Sequence, residues 1–238
     1  MILVKHYDFT QMSSIDENEW NIEVGDKWSN NEVQHYVNKP QNLYFDAGLV
    51  IQATYTKNII ESARINTKNK FSFKYGKVDI IAKVPTGKGT WPALWMMSQN
   101  SIHGGWPRSG EIDIMEHVGN ELDKLYLCIH TAAYNHQRKE QYFQKKTIQG
   151  LSSDFQKFTL VWLQDQISYY VNDTLLATYK RGENGKDISD KGWPFNDDSF
   201  YLIINLAIGG TLGGTVDYQC FPQKFIIKDI KIYQSKEI

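Results

Sequence analysis

Apolar and polar residues alternate with period two along much of the 238-residue chain, a period that predicts strands. Glu32, Gln34 and Tyr36 interleave with Val33, His35 and Val37, predicting a strand over 32–38. Runs 42–45 and 49–55 flank Asp46-Ala47-Gly48 and read as a hairpin. Ala63-Arg64-Ile65 is a short strand. Phe71, Phe73 and Tyr75, then Val78, Ile80 and Ala82, form two alternating runs separated by Gly76, before a turn cluster at 85–89. Residues 91–97 are apolar throughout and suit a buried strand; 125–131 follow as another. Runs 158–163 and 167–171 make a second hairpin, continued by 175–179, and 200–208 and 225–233 close the chain. Residues 1–30 read as polar and irregular, with isolated Trp20 and Trp28, while 98–105 and 181–191 read as loops and 133–150 as a polar stretch. Helical periodicity is not sustained over ten residues anywhere. Many short strands with frequent turn signals predict an all-β sandwich or barrel. With no linker, repeat or low-complexity tract, a single domain over 1–238 is expected.

One stretch breaks the pattern in a way that points to chemistry. Gly110-Glu111-Ile112-Asp113-Ile114-Met115-Glu116-His117 places three carboxylates within six residues of a β-branched run. On a strand Glu111 and Asp113 share a face. Strict alternation would put residue 115 there next, yet that residue is Met and the acid comes at Glu116. A β-bulge near Ile114-Met115 resets the parity and brings all three acids to one side. Acids on a strand are ordinarily a solvated face. Here Ile112 and Ile114 cover the opposite face, tryptophans stand close by, and three like charges repel, which points to a working site. Two Glu side chains leaning together across the strand can close to roughly 5 Å, the spacing of a retaining glycosidase. Asp113 between them can hydrogen-bond a nucleophile and raise the pKa of the neighbouring acid. His117 should point to the opposite face, without a catalytic role.

Composition narrows the classes. The formal charge of −1 argues against nucleic acid and anionic membrane surfaces, and there is no apolar run of membrane-spanning length. Seven Trp and fourteen Tyr suit sugar stacking, though aromatics also fill β cores. Cys128 lies in an apolar run and reads as a free buried thiol; its pairing with Cys220 is not established by sequence. No signal peptide is visible at the N-terminus. No H-x-x-x-H, C-x-x-C or Asp-rich loop marks a metal centre, so no metal and no cofactor are expected.

GEIDIMEHVG resembles the active-site signature of glycoside hydrolase family 16 in its bulged form, E-x-D-x-x-E. The resemblance continues through Trp91-Pro-Ala-Leu-Trp95-Met-Met, Trp106-Pro-Arg-Ser-Gly-Glu111 and Asn205-Leu-Ala-Ile-Gly-Gly210, covers most of the chain from about Trp28 to Tyr233, and is closest to the laminarinase-like branch. It implies a jelly-roll sandwich of two curved antiparallel sheets with a concave substrate cleft. It implies Glu111 as nucleophile, Asp113 as assisting residue and Glu116 as general acid/base. Trp91, Trp95 and Trp106 are candidate sugar-binding residues, core packing being the alternative for any one of them. By resemblance Arg64 and Asn42 would bind a glucose on the non-reducing side, and His130 would lie near the acid/base. Many relatives bind a structural calcium through an Asp of a C-terminal pattern; at that position this chain carries Lys228, whose ammonium cannot ligate calcium and could replace its charge.

The resulting expectation is a monomeric, extracellular, retaining endo-β-1,3-glucanase acting on a polysaccharide. Within the family the alternatives are a mixed-linkage β-1,3-1,4-glucanase or an agarase or carrageenase. Sulfated galactans would call for several basic residues, and the sequence near the signature offers only Arg64 and Arg108. Outside enzymes, the alternative is a carbohydrate-binding module, which would have no need of the intact acid triplet.

Overall fold

The structure, a computed structural model, describes residues 1–140, 142–189 and 191–235. Among the described residues seventeen strands run in order: β1 (Ile2–Asp8), β2 (Asn21–Glu23), β3 (His35–Tyr36), β4 (Leu43–Phe45), β5 (Leu49–Thr56), β6 (Ile59–Ser62), β7 (Arg64–Asn66), β8 (Gly76–Lys83), β9 (Thr90–Ser98), β10 (Glu111–His117), β11 (Lys124–His130), β12 (Tyr142–Thr147), β13 (Gln156–Leu163), β14 (Gln166–Val171), β15 (Thr174–Lys180), β16 (Phe200–Ile208) and β17 (Gln223–Gln234). Among the described residues the α-helix is confined to Gly210–Gly213, and no helix is long and apolar enough to cross a membrane. The strands form a ten-stranded sheet, ordered β15-β14-β13-β8-β17-β5-β6-β3 with β1 on β17 and β4 on β5, and a seven-stranded sheet ordered β12-β11-β10-β9-β16-β7-β2.

The core lies between the sheets, and alternation explains who fills it. From the ten-stranded sheet come Val78, Ile80 and Ala82 of β8 and Phe158, Leu160 and Trp162 of β13; from the seven-stranded sheet come Leu94 and Met96 of β9 and Leu202, Leu206 and Ile208 of β16. Burying each large apolar side chain contributes roughly 1.5–3 kcal/mol. The remaining parity of the seven-stranded sheet faces away from the core, and that face carries the cleft.

Several sequence expectations change here, each for a physical reason. Residues 1–30 are not irregular throughout, since β1 pairs with β17 over Ile2–Asp8. Its first positions are exposed and only Tyr7 is fully buried, so no alternation announces it; the backbone ladder holds it. Within the polar 133–150 stretch, where the pattern predicts no strand, β12 is a lysine-bearing edge strand, the usual chemistry of an unpaired edge. Conversely, Phe71–Tyr75 alternates without forming a strand: Phe73 makes one bridge to Phe200, and Tyr75 turns at φ 57°. The 32–38 alternation reduces to β3, a two-residue parallel pairing with β6. Cys128 is a free buried thiol, in agreement with its apolar run, and Cys220 is also free.

Lys228 sits at a register shift in β17, between Ile227 and Asp229. Its ammonium lies 3.9 Å from the centroid of the Phe155 ring, a cation–π contact. A side chain with this charge and this partner does not fit a calcium ligand.

Candidate active site

The acids stand on β10, an inner strand of the seven-stranded sheet between β11 and β9. The ladder to β9 pairs Asp113 with Trp95, then shifts so that Met115 pairs with Leu94 and Glu116 with Ala93. The ladder to β11 breaks over the same interval. This is the bulge expected at Ile114-Met115. It sends Ile112, Ile114 and Met115 all into the core, while Glu111, Asp113 and Glu116 all line one cavity of about 570 Å³. The bulge also leaves Leu127 of β11 without a partner in β10. Two tyrosines of the opposite sheet brace β11 here: Tyr179 donates to the Leu127 carbonyl at 2.9 Å and Tyr169 to the Cys128 carbonyl at 3.1 Å. The strand is held from behind at the level of its reactive face.

The cleft wall comes from neighbouring strands of the same parity. Trp91 and Trp95 of β9 both line the cavity, and Trp91 is also buried in a small apolar cluster with Val118, Tyr126 and Ala207. Trp91 Nε1 donates to Glu116 Oε1 at 2.9 Å. Trp95 Nε1 donates to Asn205 Oδ1 at 2.7 Å, and the Asn205 amide donates to the Tyr36 hydroxyl at 3.0 Å. Trp106 arrives from the loop before β10 and donates its Nε1–H to Glu111 Oε2. Gly110 makes that return possible. Its φ is +88°, and a Cβ there would stand 2.9 Å from the Phe195 ring, so glycine alone turns the chain from this loop into β10 without strain.

The electrostatics separate the three acids. Burial, then the charges of Glu111 and Glu116, hold the Asp113 carboxyl well above the usual carboxylate range, and a side-chain hydrogen bond with Glu111 raises it further. Burial pushes Glu116 up to about 7, against the opposing effect of the bond from Trp91. The set thus offers one acid matched to proton transfer near neutrality, one buried acid whose pKa is raised, and one acid receiving an indole N–H.

The predicted residues divide. Arg64 lines the cavity, its guanidinium lying between the rings of Trp28 and Trp95 at 4.8 and 4.9 Å, with Nε donating to Glu23. His130 is buried behind the acids. It pairs across the ladder with Glu111, and its Nε2 lies 3.4 Å from Asp113 Oδ2, so its contact is with Asp113 rather than Glu116. Asn42 is a correction. It is fully buried and absent from the cavity, and its amide donates to the carbonyls of Gln52 and Glu61 and to the Thr54 hydroxyl at 2.9–3.1 Å. It ties the β4–β6 region together instead of facing sugar. His117 faces away, as expected, with Nδ1 donating to the Lys124 carbonyl at 2.8 Å.

Sequence reasoning missed Trp28, Glu32 and His136, which also line the cavity. Glu32 accepts from Gln34 Nε2 at 2.8 Å, and its carboxyl is raised chiefly by burial. The available signal was the polar face of the 32–38 alternation, which holds Glu32, Gln34 and Tyr36 on one side. Trp28 sits in a loop and His136 in a single 3-10 turn, His136–Arg138, where no periodicity marks them.

The comparisons agree with this geometry. The profile of the glycosyl hydrolases family 16 matches residues 24–210. A beta-glucanase of Rhodothermus marinus is 35% identical over 243 residues, spanning 98% of this chain and 85% of that protein. The fold is similar to the crystal structure of a laminarinase from Flavobacterium sp. UMI-01, with a TM-score of 0.90 and 36% identity over 98% of this chain and all of that one. It is also similar to the laminarinase from Rhodothermus marinus, with a TM-score of 0.92 and 32% identity over 99% of this chain and 98% of that one. The chain belongs to glycosyl hydrolase family 16.

Proposed function

We propose that the chain is a retaining endo-β-1,3-glucanase that cuts internal linkages of a neutral β-glucan. The observation that carries this reading is the pairing of each outer acid with an indole of the cleft wall, Trp106 on Glu111 and Trp91 on Glu116, with the buried Asp113 between them. Indoles that are anchored through their N–H groups leave ring surface free for sugars. The likeness to laminarinases supports the β-1,3 linkage.

Glu111 attacks the anomeric carbon while Glu116, protonated at mildly acidic to neutral pH, delivers its proton to the leaving oxygen. Asp113 donates its hydrogen bond to Glu111 and helps release it in the second half-reaction. The glycosyl-enzyme is then opened by water, whose proton returns to Glu116. Trp91, Trp95, Trp106 and Arg64 form the sugar-binding wall. Among the described residues lining the cavity, Arg64 and His136 are the basic ones, which is a poor match for sulfated galactans. A polymer of this kind is met outside the cell, which supports extracellular action.

The test is a product profile on laminarin, lichenan, agarose and carrageenan, with the anomeric configuration of the first product followed by NMR. Mixed oligosaccharides from laminarin with retention are expected. Activity on agarose or carrageenan with none on laminarin overturns the substrate, and inversion overturns the mechanism.

A further inference from the structure

Asp113, Cys128 and His130 bring a carboxylate oxygen, a thiol sulfur and an imidazole nitrogen within 4.8 Å of one another. Cys128 and His130 are two apart on β11 and so share its cleft-side face, and Cys128 pairs directly with Asp113 across the ladder. Two of the separations are shorter still: His130 Nε2 stands 3.4 Å from Asp113 Oδ2 and 3.4 Å from Cys128 Sγ. Zn²⁺ holds nitrogen and oxygen at about 2.0–2.2 Å and sulfur at about 2.3 Å, so adjacent donors of a tetrahedral site lie roughly 3.3–3.6 Å apart. These contacts have the length of tetrahedral edges.

The cluster is also short of partners. All three side chains are buried, at 3%, 2% and 7% exposure. Asp113 Oδ2 has no hydrogen-bond partner despite its burial, a costly state for a polar atom. The Cys128 thiol has long contacts, to the Ile129 carbonyl at 3.7 Å and to His130 Nε2 at 3.4 Å. Access exists, because Asp113 lines the cleft.

We propose that Asp113, Cys128 and His130 form a binding site for a soft or borderline divalent cation, Zn²⁺ or Cd²⁺, and that occupancy silences the enzyme. A Cys–His–Asp donor set selects such ions over Ca²⁺ and Mg²⁺, which prefer all-oxygen shells. Binding exchanges the thiol S–H bond for a metal–sulfur bond and releases the thiol proton, with any proton held by Asp113, to water. The ion then holds the carboxyl that would otherwise hydrogen-bond Glu111; this inhibitory half rests on the function proposed above, while binding does not. His130 Nδ1 lacks a buried partner, and ligating histidines are normally fixed through that second nitrogen. The site is therefore weaker than a structural zinc centre and reversible by chelators.

The experiment is titration of the intact protein with Cd²⁺, reading the ultraviolet thiolate-to-cadmium charge-transfer band without substrate. With Cys128 and Cys220 the only cysteines, Cys220→Ser should keep a one-equivalent band and Cys128→Ser should lose it. His130→Gln should weaken binding at least about tenfold. Ca²⁺, close to Cd²⁺ in size and equal in charge, should not compete. A band that persists in Cys128→Ser, or disappears in a folded Cys220→Ser, overturns the site. Laminarin hydrolysis should fall with the same stoichiometry and recover on chelation. Each variant is measured against its own metal-free rate. A band without inhibition would leave the site and remove its effect on catalysis; absence of laminarin hydrolysis altogether would speak against the enzyme reading alone.

Discussion

β9 and β11 flank the same acid-bearing strand and offer it opposite chemistry. On the β9 side every polar atom named at the site has a partner: Trp91 donates to Glu116, and Trp95 donates to Asn205, which donates to Tyr36. On the β11 side Cys128 and His130 face Asp113 with loose or missing hydrogen bonds. The difference shows how one strand supports two roles. A fully bonded indole wall is rigid and presents flat surfaces for sugars. Beside the under-bonded wall, burial and the charges of Glu111 and Glu116 raise the Asp113 carboxyl, which suits a helper that must follow the nucleophile through its change of charge.

The largest effects test the acids that both walls serve. Glu116→Ala should lower kcat on the order of 10²–10⁴-fold, and Glu111→Ala at least as much, with circular dichroism unchanged. With an activated aryl glycoside, azide should restore turnover to both, giving an α-glycosyl azide from Glu111→Ala and a β-glycosyl azide from Glu116→Ala. The reverse pairing would exchange their roles.

The β9 wall is probed by Trp91→Phe, which keeps a ring and removes the N–H. Trp91 holds the Glu116 pKa down, so its loss should move the alkaline limb of the kcat/KM profile, near pH 7 in the parent protein, to higher pH. A limb that stays in place would mean that this bond does not tune the acid.

Burial of Glu116 also links stability to pH. Its pKa rises from 4.5 in the unfolded chain to about 7 in the folded one, so the folded state binds the proton more tightly. The contribution, up to roughly 3 kcal/mol, is complete below pH 4.5 and is lost as pH rises to about 7. Thermal midpoint should decline across that window, and Glu116→Gln should flatten the decline. A slope of opposite sign, or one untouched by the substitution, would show that Glu116 does not carry it.

The smallest expected effect is a null at Lys228, far from either wall in role. With an ammonium over Phe155 in place of a carboxylate, the thermal midpoint should not move with added calcium or with chelator. A clear rise with calcium would show that other groups bind it.

The strands that bury one face are legible in the residues alone, because burial writes period two or an unbroken apolar run into them. The pattern predicts β16 at its observed bounds, and β9, β10, β13 and β14 to within a few residues. β1 and β12 leave no such trace, since backbone ladders hold them and their side chains are largely exposed. Phe71–Tyr75 misleads for the complementary reason, carrying the period without a partner strand.

The bulge and the common face of Glu111, Asp113 and Glu116 were determined by sequence alone, because a misplaced acid in an apolar run has one local remedy. The tertiary structure decided what local pattern cannot carry. It buried Asn42 in a backbone tie and brought Trp28 from a loop onto Arg64. It set Cys128 and His130 of one strand against Asp113 of another. Those outcomes depend on which strands become neighbours and in what register, and register is settled by packing across the whole sheet.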